Sequence, residues 1–368
     1  KMKILWVTPK WTLPASDGAR VASKQLIKAL TSQNLSIDYL SFSHPEDNED
    51  PERICRELGV ESADYVKRIL PRTSIQKFIY YGLSFLFSPT TPLTTVSFTS
   101  SELKRKSKEI LKAKKYDFIV ADGLHAIVPF LNLDCKLIYR SHNVEYDIWK
   151  RASENSKNPV LKFMLYLQYL SMRSFENRVI DHVDYVFPIS DEDRSVYLKN
   201  HSGEKIMTVP LGLEFKSPSR TQSSGKIRYL FLGRLDWPPN RDGLQWLLDK
   251  VWPSIDKNKY ELIIAGSGNS DWMEDYEDMD GVQFEGFVSD LDDLYSRVDA
   301  SLIPIFYGSG TRIKVIEAAS KSVPILSTKM GAMGSGLVAG EHFIQAENPE
   351  EWIRTLNGFD REASAEMA

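Results

Sequence analysis

The run Gly308-Ser309-Gly310-Thr311-Arg312-Ile313-Lys314-Val315-Ile316-Glu317 brings together the side chains needed to hold a phosphorylated polyol. Gly308 and Gly310 let the backbone turn sharply and approach a ligand. Thr311 to Ser320 has helical character, and the free amides at a helix start favour an anion. Arg312 and Lys314 add positive charge there. Glu317 lies two turns in and is able to accept hydrogen bonds from hydroxyls. A strand-like stretch, Ala300 to Ile305, comes before, and Val323-Pro324-Ile325-Leu326 comes after. Strand, glycine turn, helix and strand make a parallel α/β unit. Such a turn also occurs as plain architecture, because fold alone does not specify function. The basic pair and the interior carboxylate favour a nucleotide or nucleotide sugar.

Two further glycine turns follow strand-like runs. Gly233-Arg234 ends Arg228 to Leu232, and Gly266-Ser267-Gly268 ends Glu261 to Ala265. With the turn at Gly308, three such turns at carboxyl strand ends converge on one anionic ligand.

The elements that position these groups alternate along the whole chain. In the first half, Lys3 to Thr8, Leu35 to Phe42, Asp117 to Asp122, Lys136 to Arg140 and Tyr185 to Ser190 read as strands. Arg20 to Gln33 and Asp191 to Leu198 read as helices, the second capped by Ser190 or Asp191. Residues 43–64 are polar and acidic and read as a surface excursion. Pro159 to Arg173 is apolar nearly all round, which predicts a buried helix or a partner face. The stretch Ser217 to Gly225 lacks apolar residues and marks a linker or surface loop. The expected organisation is a domain at 1–210, a domain at 211–345, and a helical segment at 346–368 that packs back toward the first.

A chain of 368 residues suits two domains. With 42% hydrophobic and 26% charged residues it has a globular composition. A net charge of -4 argues against a nucleic-acid binder. Cys55 and Cys135 imply neither a disulfide framework nor a metal site, and a reducing cytoplasm is expected. Ile4-Leu5-Trp6-Val7 is too short for a leader peptide, and no apolar run is long enough to span a membrane. Peripheral contact with a membrane surface is suggested by a basic helix around Lys104-Arg105-Lys106, Lys108 and Lys112. Residues 67–87, which mix Lys67, Arg68, Arg72 and Lys77 with Phe78, Tyr80, Tyr81, Phe85 and Phe87, suggest the same.

The second half resembles the family 4 glycosyltransferases. The matching words, in order, begin with Val209-Pro210-Leu211-Gly212-Leu213 and Phe231-Leu232-Gly233-Arg234-Leu235. Leu262 to Gly268, Val282 to Val288, and the run from Gly308 with Val323 to Thr328 follow. The first half matches more loosely, through Asp17-Gly18 and Ser141-His142-Asn143-Val144-Glu145. The resemblance implies the GT-B fold, with two Rossmann-like parallel-sheet domains facing across a cleft. The first would be the acceptor side and the second the nucleotide-sugar donor side.

Carried over residue by residue, Arg234 corresponds to the basic group on the donor diphosphate. The family's lysine six residues later falls on Asn240, and Arg241 beside it is the candidate substitute. Glu317 matches the carboxylate on the ribose. The family's partner carboxylate, eight residues earlier, falls on Ser309, a departure read as subgroup variation. His142 corresponds to the histidine facing the donor sugar. Gly18 corresponds to the loop whose amide approaches the donor. Gly308, Ser309, Gly310, Thr311, Arg312 and Lys314 complete the donor-binding set.

The resemblance also implies a retaining, metal-independent transfer with no cofactor beyond the nucleotide sugar. Asp191/Asp193, Asp278/Asp280 and Asp290/Asp292 are then helix caps and chance rather than metal ligands. The acceptor is a glycan, a lipid-linked sugar or another hydroxyl. A non-catalytic nucleotide-sugar-binding scaffold and an epimerase of the same fold stay open as alternatives.

Overall fold

The computed structural model describes residues 2–15, 17–70, 92–156, 158–213, 225–276, 278–308 and 312–361. The aromatic and basic stretch at 71–91, residues 214–224 with most of the expected linker, and Ser309, Gly310 and Thr311 lie outside the described residues. The chain divides into two compact units, Lys1–Gly212 and Leu213–Ala368.

The first unit is built on six parallel strands. They are β1 (Lys3–Thr8), β2 (Ser36–Ser41), β3 (Ser62–Tyr65), β4 (Phe118–Asp122), β5 (Leu137–Ser141) and β6 (Tyr185–Pro188), in the order β3-β2-β1-β4-β5-β6. The inner strands are near-continuous apolar runs because both faces are covered. In β1, Leu5 and Val7 enter one core, while Ile4 and Trp6 enter another on the opposite face.

The helices flanking this sheet start at recognisable caps. Helix α1 (Gly18–Ser32) is capped by Asp17, which accepts from the Arg20 amide. The acidic stretch 43–64 is not a surface excursion. It holds α2 (Pro51–Leu58) and the edge strand β3. Asp50 caps α2, Pro51 opens it, Ile54 and Leu58 are buried, and Gly59 closes it at φ 71°. Two apolar residues one turn apart are enough to dock so short a helix, so composition alone conceals it.

Helix α3 (Ser101–Ala113) carries the basic residues. Helices α4 (Glu145–Asn155) and α5 (Pro159–His182) pack on each other, and α6 (Asp191–Tyr197) is capped by Ser190. The carboxyl half of α5 is buried through Met172, Phe175, Val179 and Ile180. Its amino half exposes Val160, Leu161, Phe163, Met164, Tyr166 and Leu170, with Val160 at 68%. The buried-helix expectation for 159–173 therefore fails at that end, and an exposed apolar face remains.

The second unit repeats the plan with β7 (Ile227–Leu232), β8 (Tyr260–Ala265), β9 (Val282–Gly286), β10 (Ala300–Ile303), β11 (Ile325–Ser327) and β12 (Ile344–Gln345). The order is β12-β11-β10-β7-β8-β9, again all parallel. Between strands lie α7 (Pro238–Trp246), α8 (Leu291–Ser296) and α9 (Ile313–Ser320), with α10 (Pro349–Asn357) last. Trp352 and Leu356 of α10 are fully buried in this unit's core beside Tyr229 and Leu248. Over Pro349–Asn357, the segment at 346–368 is a helix that contributes Trp352 and Leu356 to the core of the second unit.

In each sheet, consecutive strands run outward to both sides from a central pair, β1/β4 in the first and β7/β10 in the second. Parallel α/β sheets bind ligands outside the carboxyl ends of their strands at such a switch point.

Candidate functional site

At the switch point of the second sheet the glycine turns at Gly233 and Gly266 meet. The Gly233 amide donates to Ala265 O at 3.0 Å, and the Leu235 amide to Ser267 O at 2.8 Å. A Cβ on Gly266 would collide with the carbonyl of Gly233, so the two turns pack backbone to backbone. Helix α9, which follows β10, is joined to the turn after β7 by Lys314. Its ammonium donates to Asn240 Oδ1 at 2.9 Å, and Asn240 Nδ2 donates to Arg234 O at 2.9 Å. Gly308 sits at φ +126°, where a side chain is strained and the Arg312 guanidinium occupies the space.

Charge is arranged unevenly around this point. Lys314 is partly buried and lies 4.8 Å from the centre of the Phe231 ring. Burial pushes its ammonium down to about 7; Arg312 repels it further and Glu317 opposes the shift. Burial also raises the Glu317 carboxyl, against the attraction of Lys314 and Lys321. No described residue donates a hydrogen bond to that carboxylate. Helix α9 starts at Arg312 without a side-chain cap.

Arg234 is exposed and pairs with Asp236 through Nε at 3.0 Å and Nη2 at 2.6 Å. Arg241 is exposed too, its Nε 3.4 Å from Asp242. Asn240, at the position of the family's lysine, is buried instead, at 8% exposure. The structure therefore places Arg234 and Gly308 after the neighbouring strands β7 and β10, with Lys314 and Glu317 on the following helix, and sets Arg241 against a neighbouring carboxylate. Ser309, Gly310 and Thr311 lie outside the described residues.

The first unit has its own cavity, of about 370 Å³, where β1, β4 and β5 end. His142, Asp122, Lys10, Arg20, His125 and Glu145 are among its lining residues. His142 Nε2 is 2.6 Å from Asp122 Oδ1, and Arg140 Nη1 reaches the same oxygen at 2.7 Å. Trp6 Nε1 donates to Asp122 Oδ2 at 2.9 Å. Burial alone would raise the Asp122 carboxyl; the charges of Arg140 and His142 overcome it and hold the group well below the usual carboxylate range. Gly18 opens α1 beside Asp17, which binds Lys10 at 2.6 Å and Arg20 at 3.0 Å.

Glu176, on α5, is wholly buried. It accepts from Tyr197 Oη at 2.6 Å, Tyr139 Oη at 3.0 Å, and the amides of Tyr146 at 3.1 Å and Glu145 at 3.3 Å. Val144, the residue before α4, provides no side-chain cap, and Glu176 satisfies those amides from a neighbouring helix. Burial raises Glu176 to about 7, against these hydrogen bonds, and Glu145 to about 8, with Glu176 adding repulsion and Lys10 opposing. Asp122, Arg140, Glu145 and Glu176 were not singled out from sequence. The available signals were an acid closing an apolar strand at Asp122 and the first acid of a largely apolar helix at Glu176.

Asp290 caps α8 by accepting from the Asp293 amide at 3.0 Å, Asp292 pairs with Lys321, and Asp191 accepts from Thr208.

Residues 226–359 match the family model for glycosyl transferases group 1. The matched residues all lie within the second unit. Over nearly the whole chain there is likeness to an uncharacterized 44.6 kDa protein in the cps region of Klebsiella pneumoniae, 24% identical over 98% of this chain and 92% of that one. Among solved structures, Anabaena HepE in complex with UDP and glucose superposes with a TM-score of 0.64 at 15% identity, covering 100% of this chain and 92% of that chain. Sucrose-phosphate synthase from Thermosynechococcus elongatus gives 0.67 at 16% identity, covering 100% and 92%. These structural likenesses establish the fold: GT-B, with two Rossmann-like parallel-sheet units. No described helix is long and apolar enough to cross a membrane.

Proposed function

We propose that this protein is a glycosyltransferase that moves a sugar from a nucleotide-diphosphate sugar to a hydroxyl of a glycan or lipid-linked acceptor. Transfer proceeds with retention of anomeric configuration and uses neither a metal nor a further cofactor. The observation that carries the reading is the Glu317 carboxylate, without a hydrogen-bond donor among the described residues, one turn from the Lys314 ammonium at the β7/β10 switch point. A carboxylate able to accept from two hydroxyls next to cations suits a ribose joined to a diphosphate.

The roles follow from the charges. Glu317 binds the ribose. Arg234, Lys314 and Arg312, with Gly308, Ser309, Gly310 and Thr311, neutralise the diphosphate as it leaves. Arg241 would join them only by giving up Asp242. His142, its Nε2 held by Asp122, orients the transferred sugar, and the Gly18 turn approaches the donor from the first unit. The departing phosphate oxygen takes the proton of the acceptor hydroxyl on the same face.

The likeness to a protein of a cps region supports polysaccharide biosynthesis of the cell envelope. The exposed apolar run of α5, with Lys162 and Arg173 and no acid from Pro159 to Phe175, supports peripheral contact with the cytoplasmic face of a membrane.

The test is a calorimetric titration with UDP, GDP and ADP, followed by an assay for release of sugar from the matching nucleotide sugars without acceptor. UDP comes first because HepE is solved with it. Binding with slow hydrolysis is expected. Binding without any turnover would point to a scaffold, and binding of no nucleotide would remove the donor reading.

A further inference from the structure

We propose that Asn240 is a positioning residue that sets the Lys314 ammonium at the carboxyl end of β7, where it meets the diphosphate of the donor. The inference deepens the donor reading above and rests on it.

The Asn240 amide is engaged at both ends. Nδ2 donates to the backbone carbonyl of Arg234 and Oδ1 accepts from Lys314 Nζ, each at 2.9 Å. Only an amide offers a donor and an acceptor at that spacing. Aspartate would lose the bond to Arg234 O, and an apolar residue would lose both. One side chain thereby ties the turn carrying Arg234 to the helix carrying Lys314, 74 residues further along the chain. Gly233 completes the arrangement: a Cβ there would lie 2.8 Å from both Lys314 Nζ and Asn240 Nδ2. The room is given to the ammonium and its anchor.

The ammonium so placed has no carboxylate within ion-pair distance among the described residues. Its contacts are a neutral amide and the face of Phe231. Of the charged groups acting on it, Arg312 on its own segment repels, Glu317 one turn on attracts, and Arg234 lies on the turn anchored by the same amide. A partly buried cation without a counter-ion binds its proton loosely, consistent with the lowering to about 7. An arriving diphosphate supplies the missing anion, so binding near neutral pH draws a proton onto Lys314.

The experiment is a titration of UDP into wild type, Asn240→Ala, Lys314→Met and the double variant at pH 7.5. Two buffers of different ionisation enthalpy report proton uptake. Wild type should take up a fraction of a proton per UDP. Each single variant should bind UDP roughly tenfold more weakly. Uptake should vanish in Lys314→Met and shrink in Asn240→Ala, and the double variant should bind no more weakly than Lys314→Met. Asn240→Asp, of the same size, guards against a folding defect. It gives Lys314 an internal counter-ion, so uptake should vanish while urea unfolding stays cooperative. Additive losses in the double variant, or uptake unchanged by the Asn240 substitutions, would overturn the inference while leaving the donor reading in place. Wild-type protein that binds no nucleoside diphosphate would remove both.

Discussion

Asp122 Oδ1 lies 2.6 Å from His142 Nε2, and that same oxygen carries the ion pair with Arg140. Asp122 and Arg140 are each about 1% exposed. One carboxylate oxygen therefore orients a histidine on the cavity wall and balances a buried guanidinium. Asp122→Asn leaves that guanidinium uncompensated and should cost about 3 to 5 kcal/mol in urea unfolding. Because the folded carboxyl is lowered from 3.8, its contribution is full above that value and is lost as pH falls through the lower one. The acid limb of the stability curve should flatten in the variant. A loss under 1 kcal/mol would mean that Arg140 finds other compensation.

His142→Ala should cut transfer by about a hundredfold through loss of sugar orientation. Nucleotide affinity should stay within a factor of about two, because Arg234, Lys314 and Glu317 all belong to the second unit. A packing role predicts something else: a lower melting temperature with activity falling only in proportion to folded protein. Measuring melting temperature, affinity and turnover on one preparation separates the two.

Arg234→Ala should lower kcat as well as raise donor KM, since charge grows on the diphosphate as the bond breaks. The side chain already holds Asp236 in two hydrogen bonds, so binding a donor means exchanging that partner. Asp236→Ala should then strengthen UDP binding modestly. A change in KM alone for Arg234→Ala would make it a uniform binding contact.

Glu317→Gln keeps the size of the side chain and removes its charge. Nucleotide affinity should fall by about 1 to 3 kcal/mol, the range for hydrogen bonds to a charged group. Burial raises the carboxyl in the folded chain, so its acceptor form is lost as pH falls through that raised value, and wild-type affinity should weaken on the same limb. Calorimetric titrations across that range that superpose for variant and wild type would reject the ribose contact.

Turnover should persist in EDTA. Abolition by the chelator with recovery in manganese would overturn the metal-independent reading and call for a new search around Asp278 and Asp280.

The doubly wound plan was legible because parallel strands covered on both faces are continuous apolar runs, and because Gly233, Gly266 and Gly308 each end one. What escaped was held by pairings remote in sequence. Asn240 looked like a missing lysine, and its partner Lys314 is visible only once β7 and β10 are neighbours. Asp122 looked like the polar end of a strand until β5 placed Arg140 and His142 against it. Helix α2 hid within an acidic stretch because its docking face is two residues wide. Glu176, one carboxylate among apolar neighbours on α5, gave no local hint that its partners are the tyrosines of β5 and α6.

That carboxylate also sets how the first unit opens. Helix α4 has its leading amides satisfied from α5, so undocking α5 strands two buried donors at the start of α4 and frees the turn bearing His142 and Asn143. Fraying from that end is therefore penalised as a unit. In native-state hydrogen exchange, the amides of Glu145 and Tyr146 should share one opening free energy with those of α5 around Glu176. Glu176→Gln should lower it for the whole set while leaving the exchange of β7 and β8 unchanged.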